Sequence, residues 1–312
     1  MRSIANPEVI ERKAMRTDIR AVAIALIGYL IITSFVSIIL VFIAGVIMHG
    51  IVYACASFVG LGFIWFCFKS DFYLGDILYV QRAIPRKVFV NALVCVIGIQ
   101  PVFLLAGRGV ELGFHKAGYQ ITFGTALTQS QGLIFLLLNS ILLAPLIEEV
   151  LFRGVALRIL SRYGRNFAIL TSAILFGLYS TSFIQIFHGF VLGLLLAYIT
   201  FRYSIKWAAA LHCSHNLIWE LTGVLTLPWY FVYGFLAIFF VWGIIISFRK
   251  FRKVRRFADK GRSAQNVYKY FFTAPAILIY IAIALMLAYM ETNIIPLDQV
   301  HPVDSPLTTP LV

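Results

Sequence analysis

Long apolar runs separated by short polar segments make up most of this sequence. No charged residue occurs between Arg20 and Lys69, and these 48 residues are more than twice the length that one bilayer-crossing helix needs, about 20 residues. We therefore predict two membrane-spanning helices there, with a turn near His49 and Gly50. The other apolar runs predict seven further spans: 88–107, 132–157, two within 166–201 that are separated near Tyr179 to Ser182, 207–223, 227–248 and 270–290.

The composition agrees with this pattern. Hydrophobic residues make up 61% of the 312 residues, charged residues only 12%, and the mean hydropathy is +0.91. A soluble domain of this length cannot bury that much apolar surface. The sequence therefore predicts an all-α fold, a polytopic integral membrane bundle of about nine transmembrane helices.

The positive charge is distributed unevenly along the chain. A net charge of +13 in a soluble protein would suggest binding to nucleic acid. If the N-terminus is cytoplasmic, however, nine crossings place every Lys and Arg except Arg108 and Lys116 on the inner side, as the positive-inside rule expects. The basic segment 249–262 then contacts lipid head groups, and the acidic tail from Glu291 lies outside. We predict a multi-pass membrane protein that has the lipid bilayer, and no nucleic acid, as a partner.

Three ionisable residues interrupt the apolar run of the fourth predicted span, in the sequence PLIEEVLFRG, residues 145–154. Such residues are costly at membrane depth and often functional. Glu149 and Arg153 are four residues apart, a spacing that favours an ion pair along one helical face. Glu148 is rotated by about 100° around the helix from Glu149, so it can face an interior cavity and act there as a general base. Pro145, three residues earlier in the same helix, removes a backbone hydrogen bond and can open the helix near the carboxylates. The alternative is a solvated helix end.

The seventh predicted span contains a second polar group, HCSHN, residues 212–216. His212 and Asn216 share a helical face, and Glu220 continues this face by one more turn. A histidine beside a carboxamide can donate hydrogen bonds to a developing oxyanion. Two alternatives are an ordinary hydrogen bond between helices and a metal ligand, although no HExxH spacing is present.

These motifs resemble those of the CAAX-protease and bacteriocin-processing (CPBP, or Abi) family of intramembrane endopeptidases, over roughly residues 130–222. EEVLFR is similar to the family's EExxxR motif, and HCSHN to its HxxxN motif. The resemblance implies peptide-bond hydrolysis inside the membrane. By match, Glu148 is the base, Glu149 and Arg153 support it, and His212 and Asn216 form the oxyanion site. Whether a divalent metal such as zinc takes part stays open.

One family motif is incomplete. The segment FGLYS, residues 176–180, matches the context of the FxxxH motif but ends in Ser180, and a hydroxyl cannot replace an imidazole as base. His188, eight residues later, either substitutes for the missing ring or packs without a catalytic role. Because a general base contributes about 10²- to 10⁴-fold, loss of this histidine would impair such an enzyme without necessarily abolishing its activity.

Three functions follow from these observations. The first is a membrane-embedded endopeptidase, glutamate-dependent or metal-dependent, that acts on membrane-associated peptides or proteins in the bacterial cytoplasmic membrane, in peptide maturation or bacteriocin self-immunity. The second is a catalytically impaired, CPBP-like membrane scaffold or binding protein, which Ser180 favours. A transporter is the least favoured function, because such proteins usually have a matching pair of broken spans in their two halves and this sequence has none.

We divide the chain into three parts. These are N-terminal helices with an outer loop, a catalytic core, and C-terminal helices with a tail: 1–130, 131–223 and 224–312.

Overall fold

The protein is almost entirely helical within the residues that the structure describes. The computed structural model describes 7–44, 49–69, 82–123, 133–180, 182–225, 228–261 and 263–299. Its helices outside the fourth span are α1 Pro7–Ala44, α2 His49–Phe68, α3 Arg86–Lys116, α5 Arg165–Leu178, α6 Phe183–Arg202, α7 Ile205–Val224, α8 Trp229–Asp259, α9 Val267–Phe272 and α10 Pro275–Met290.

The fourth span, α4, is a continuous helical rod from 133 to 160 that changes its winding several times. Its segments are Leu133–Leu138, Asn139–Leu143, Ala144–Glu149, Val150–Leu157 and Arg158–Leu160, of which the second and the fourth are π-helical. The first π segment ends just before Pro145, whose ring cannot fit the normal α-helical hydrogen-bond ladder. Wider π turns are frequent at functional sites. Glu148 and Glu149 end the short α segment between the two π segments.

The prediction of an all-α, polytopic membrane bundle is confirmed over the described part of the chain, whereas the count of nine crossings stays a prediction. Six helical runs there are long and apolar enough to span a bilayer: α1, α2, α3, α4, α6 and α8. α5 and α10 are shorter apolar helices, and α7 has 20 residues but carries the polar HCSHN group. The predicted break between the fifth and sixth spans lies between Leu178 and Phe183.

Three helices extend well beyond their predicted spans. α1 has 38 residues and begins before Arg20, and α3 and α8 have 31 residues each, so these helices are about 57, 46 and 46 Å long, whereas the hydrocarbon core is about 30 Å thick. The last turns of α8 carry the predicted basic segment, so this segment is helical through Asp259. Hydropathy marks the apolar part of a helix and not the point where its backbone ends.

Contacts between chain segments sort into two opposite sets, as alternate crossings require. On one side, strands β1, Tyr119–Phe123, and β2, Thr292–Pro296, pair antiparallel and join the loop after α3 to the segment after α10. On the other side, Asp18 accepts hydrogen bonds from Arg162 at 3.2 Å and from Tyr163 at 2.8 Å. This second side also carries the bridge between Gly164 and Ser263.

Close helix packing positions the polar spans. α7 contacts α3, α4 and α6, and α5 packs along α6. A Cβ at Gly177 would lie 2.6 Å from the carbonyl oxygen of Ile186, and one at Gly193 would lie 3.0 Å from the Cα of Ala173. Small residues thus let the α5 and α6 backbones approach. Large apolar side chains such as Phe42 and Phe248 are exposed, as expected for surfaces that face lipid.

Candidate active site

A buried ion pair between Arg153 and Glu149 lies in the interior of the candidate site. The Nη1 atom of Arg153 donates to Oε1 of Glu149 at 2.9 Å, and the two side chains are 0% and 1% exposed. Nη2 of Arg153 donates to the carbonyl oxygen of Gly193 at 3.2 Å, and the guanidinium carbon lies 4.3 Å from the centre of the Phe176 ring. A charge pair buried this deeply is tolerated only with such additional partners. The predicted pairing along one helical face is therefore present.

His212 links this ion pair to the second carboxylate. Its Nδ1 atom lies 3.1 Å from Oε1 of Glu149, and its Nε2 atom lies 3.8 Å from Oε2 of Glu148. Because a carboxylate can only accept, the Nδ1 atom carries a proton. We call Glu148, Glu149, Arg153 and His212 the carboxylate–histidine cluster. α4 supplies three of its members, α7 the fourth, and direct packing of these helices brings them together.

The two glutamates differ in their surroundings. The Glu148 side chain is 20% exposed, whereas Glu149 is almost completely enclosed. Glu148 is thus the more exposed of the two carboxylates, and Glu149 is the one that contacts both Arg153 and His212.

Asn216 lies one turn beyond His212 in a second set of contacts. Its Nδ2 atom donates to the carbonyl oxygen of Ser140 at 2.9 Å, which fixes the orientation of the amide. The Oδ1 atom of Asn216 therefore faces Nδ1 of His215, at 3.0 Å, and this ring nitrogen must donate.

The tautomer of His215 also defines its hydrogen bond to Gln100 on α3. In the neutral ring the Nε2 atom of His215 accepts, and Nε2 of Gln100 lies 2.7 Å away as the donor. Gln100, His215, Asn216 and Ser140 form what we call the amide network. The sequence analysis missed Gln100, although a carboxamide inside an apolar helix was a visible signal. Ser140 also donates from its hydroxyl to Glu220, the residue that continues the polar face of α7.

Ser180 and His188 form no described hydrogen bond or ion pair with the carboxylate–histidine cluster. The Ser180 hydroxyl is directed at α6, 3.1 Å from the position of a Cβ on Gly189. The His188 ring packs against Phe103 and His215, with centroid distances of 5.3 and 5.4 Å. Among the contacts described for the chain, none joins Glu148 to His188. The imidazole opposite Glu148 is that of His212 itself.

The donor set around Glu148 does not fit a zinc ion. Catalytic zinc sites use three protein ligands. Glu148 and His212 offer two, and Glu149 is enclosed, with Oε1 accepting from both Arg153 and His212 and only its Oε2 atom left without a hydrogen bond. The Arg153 guanidinium beside Glu149 also opposes a second cation. No group of three or more His, Cys, Asp or Glu suited to a metal occurs within the described ranges.

A comparison with protein families identifies one segment of the chain. Residues 130–218 match the family described as type II CAAX prenyl endopeptidase Rce1-like. The matched segment contains the whole carboxylate–histidine cluster and Asn216, and Gln100 lies outside it. The chain matches no curated protein and no solved structure.

Proposed function

We propose that this chain, whose residues 130–218 match the Rce1-like CAAX-endopeptidase family, is an intramembrane endopeptidase that hydrolyses peptide bonds of membrane-associated peptides or proteins. The observation that carries the proposal is the position of His212 between Glu148, which is accessible, and Glu149, which is enclosed. This arrangement joins a reachable base to an imidazole whose orientation is fixed by a carboxylate. It is suited to activating water and stabilising an oxyanion.

In the proposed mechanism Glu148 acts on water. A water molecule beside Oε2 of Glu148 and Nε2 of His212 reaches both, because these atoms are 3.8 Å apart. Glu148 takes one proton as the water oxygen bonds to the carbonyl carbon. The C–N bond then breaks, and the same proton passes from Glu148 to the leaving nitrogen. Each proton and electron pair stays within the enzyme, substrate and water.

His212 and Asn216 are the proposed donors to the oxyanion. In its protonated form His212 donates from Nδ1 to Glu149 and from Nε2 to the substrate oxygen. The positive charges of Arg153 and His212 then balance the two carboxylates. Asn216 lies on the same face of α7, and its amide keeps one N–H beyond that given to Ser140.

The test replaces the proposed base, Glu148, by glutamine, which has a similar shape but cannot take the proton. Purified protein in liposomes would be incubated with fluorogenic membrane-inserted peptides. We expect Glu148→Gln to lower the cleavage rate about 10²- to 10⁴-fold, the usual contribution of a general base. Glu111→Gln is the matched control, because Glu111 pairs with Arg108 at 2.7 Å, away from the cluster. Cleavage by Glu148→Gln at the rate of the unchanged protein would exclude this role.

A second candidate function is a catalytically impaired scaffold that binds a partner or peptide. It is favoured by Ser180, which stands where the resembled FxxxH motif has a histidine and makes no described contact with the cluster. A biological phenotype that survives Glu148→Gln would support this function over hydrolysis. A rise in cleavage by Ser180→His would instead indicate an active site that has lost part of its catalytic power.

We further propose that hydrolysis is glutamate-dependent and that it takes place in the bacterial cytoplasmic membrane, in peptide maturation or bacteriocin self-immunity. Zinc dependence, which the sequence left open, is tested by chelation: cleavage should continue at an unchanged rate after treatment with EDTA. The two biological settings differ in phenotype. Loss of maturation removes a processed peptide from the medium, whereas loss of immunity makes the cell sensitive to a bacteriocin that is still produced.

A further inference from the structure

A cavity lies between α3, α6 and α8, apart from the candidate active site. Its volume is about 420 Å³, within the range of small-molecule sites. None of its lining residues belongs to the carboxylate–histidine cluster or to the amide network. Its wall is mainly aliphatic, with Val88, Val96, Ile99, Val191, Leu195 and Ile246 among the lining residues.

One end of this cavity is basic. Lys250 and Lys253 line it there, beside the polar side chains of Asn91 and Ser247. Both lysines are exposed, and no acidic residue in the described ranges forms an ion pair with either of them. α8 is uncharged from Trp229 to Phe248 and becomes basic from Arg249 onward. The basic end of the cavity therefore lies at the level where the hydrocarbon core gives way to head groups.

The cavity is accessible from outside the protein at its basic end. Phe251 and Val254, which line it there, are 60% and 50% exposed. An occupant that enters from this side must have an apolar chain and a head group that tolerates two ammonium groups. A water-soluble anion such as a nucleic-acid phosphate would leave the aliphatic wall uncovered.

We propose that this cavity binds an anionic phospholipid, with an acyl chain against the aliphatic wall and the phosphate between Lys250 and Lys253. The charge complementarity selects an anionic head group over a zwitterionic one, because a choline group would place a third cation beside the two lysines. This proposal does not depend on the proposed protease activity.

The test measures lipid binding directly. Native mass spectrometry of the full chain in detergent would compare added phosphatidylglycerol with phosphatidylcholine of the same acyl chains. We expect the double variant Lys250→Gln, Lys253→Gln to bind phosphatidylglycerol about 30-fold more weakly, since each basic residue near a membrane surface contributes roughly a factor of five. Binding of phosphatidylcholine should stay unchanged.

Two comparisons make the result specific. Arg252→Gln with Arg256→Gln removes the same charge from exposed positions of α8 that do not line the cavity, and should leave binding unchanged. Leu195→Trp fills the cavity while both lysines remain, and should abolish binding in protein whose thermal unfolding is unaltered. Equal losses from the two double variants, equal affinity for both lipids, or full binding by the Leu195→Trp variant would overturn the proposal.

Discussion

At the scale of single residues, the two adjacent glutamates have different tasks because the helix turns them to different surroundings. Glu149 is enclosed with Arg153, and Glu148 keeps 20% of its side-chain surface exposed. Removing one partner of a buried ion pair leaves the other charge without compensation, which costs about 3–5 kcal/mol. Neutralising a carboxylate that is in part exposed costs far less.

We therefore predict that Arg153→Met lowers the stability of the protein, whereas Glu148→Gln lowers its activity and leaves its stability nearly unchanged. Arg153→Met should lower the free energy of unfolding by about 3–5 kcal/mol, measured by thermal unfolding in detergent. Glu148→Gln should leave the unfolding temperature close to that of the unchanged protein while it lowers cleavage. Equal destabilisation by the two variants would contradict this division of tasks.

The amide network gives a second prediction at this scale. Gln100→Leu removes the donor to Nε2 of His215, so the ring is held only through its bond to Asn216 and the Asn216 amide is held less firmly. If the free energy of one buried hydrogen bond, about 1.4 kcal/mol, is lost from the positioning of Asn216 in the transition state, kcat should fall about tenfold. Nitrogen NMR of histidine-labelled protein should show a neutral His215 ring protonated at Nδ1, and the Nε2 signal should shift in the variant because that atom loses its hydrogen bond from Gln100. An unchanged His215 signal in Gln100→Leu would contradict the network.

The sequence predicted the members of the site better than their contacts. Glu148, Glu149, Arg153 and His212 stand out as polar residues in apolar helices, and the ion pair follows from a spacing of four within one helix. The bridge from His212 to both glutamates depends on how α4 and α7 pack, which a one-dimensional pattern does not specify. For the same reason His212 and Asn216, expected as one pair, lie in two different sets of contacts.

At the scale of elements, the crossing of α5 and α6 supports the site through a backbone carbonyl. Arg153 receives one of its acceptors from Gly193, and Gly193 lies against Ala173 of α5. The hydropathy pattern predicted these helices because each is an uninterrupted apolar run. It did not predict the π segments of α4 or the pairing of β1 with β2, which arise from packing and from contacts between residues far apart in the chain.

Glycines on this crossing should be less tolerant of substitution than glycines elsewhere. Gly177→Ala places a Cβ 2.6 Å from the carbonyl oxygen of Ile186, so the two backbones must separate. We expect a loss of about 1–3 kcal/mol of stability. Gly234→Ala on α8 is the control: its Cβ meets nothing within 4 Å, and alanine favours the helix by about 1 kcal/mol. Thermal unfolding in detergent measures both, and a Gly177→Ala variant as stable as Gly234→Ala would disprove the close-packing argument.

At the scale of the whole molecule, the contacts divide the chain into two sides but do not state which side is cytoplasmic. The paired strands lie on the side with few basic residues, and the basic end of α8 lies on the other. The positive-inside rule therefore predicts that Lys260 is cytoplasmic and Glu291 external, with one crossing, α10, between them. In a background without the four native cysteines, Glu291→Cys should react with a membrane-impermeant maleimide in intact cells, and Lys260→Cys only after lysis. The reverse result would invert the orientation and keep the fold. Labelling of both cysteines from the same side would remove α10 as a crossing.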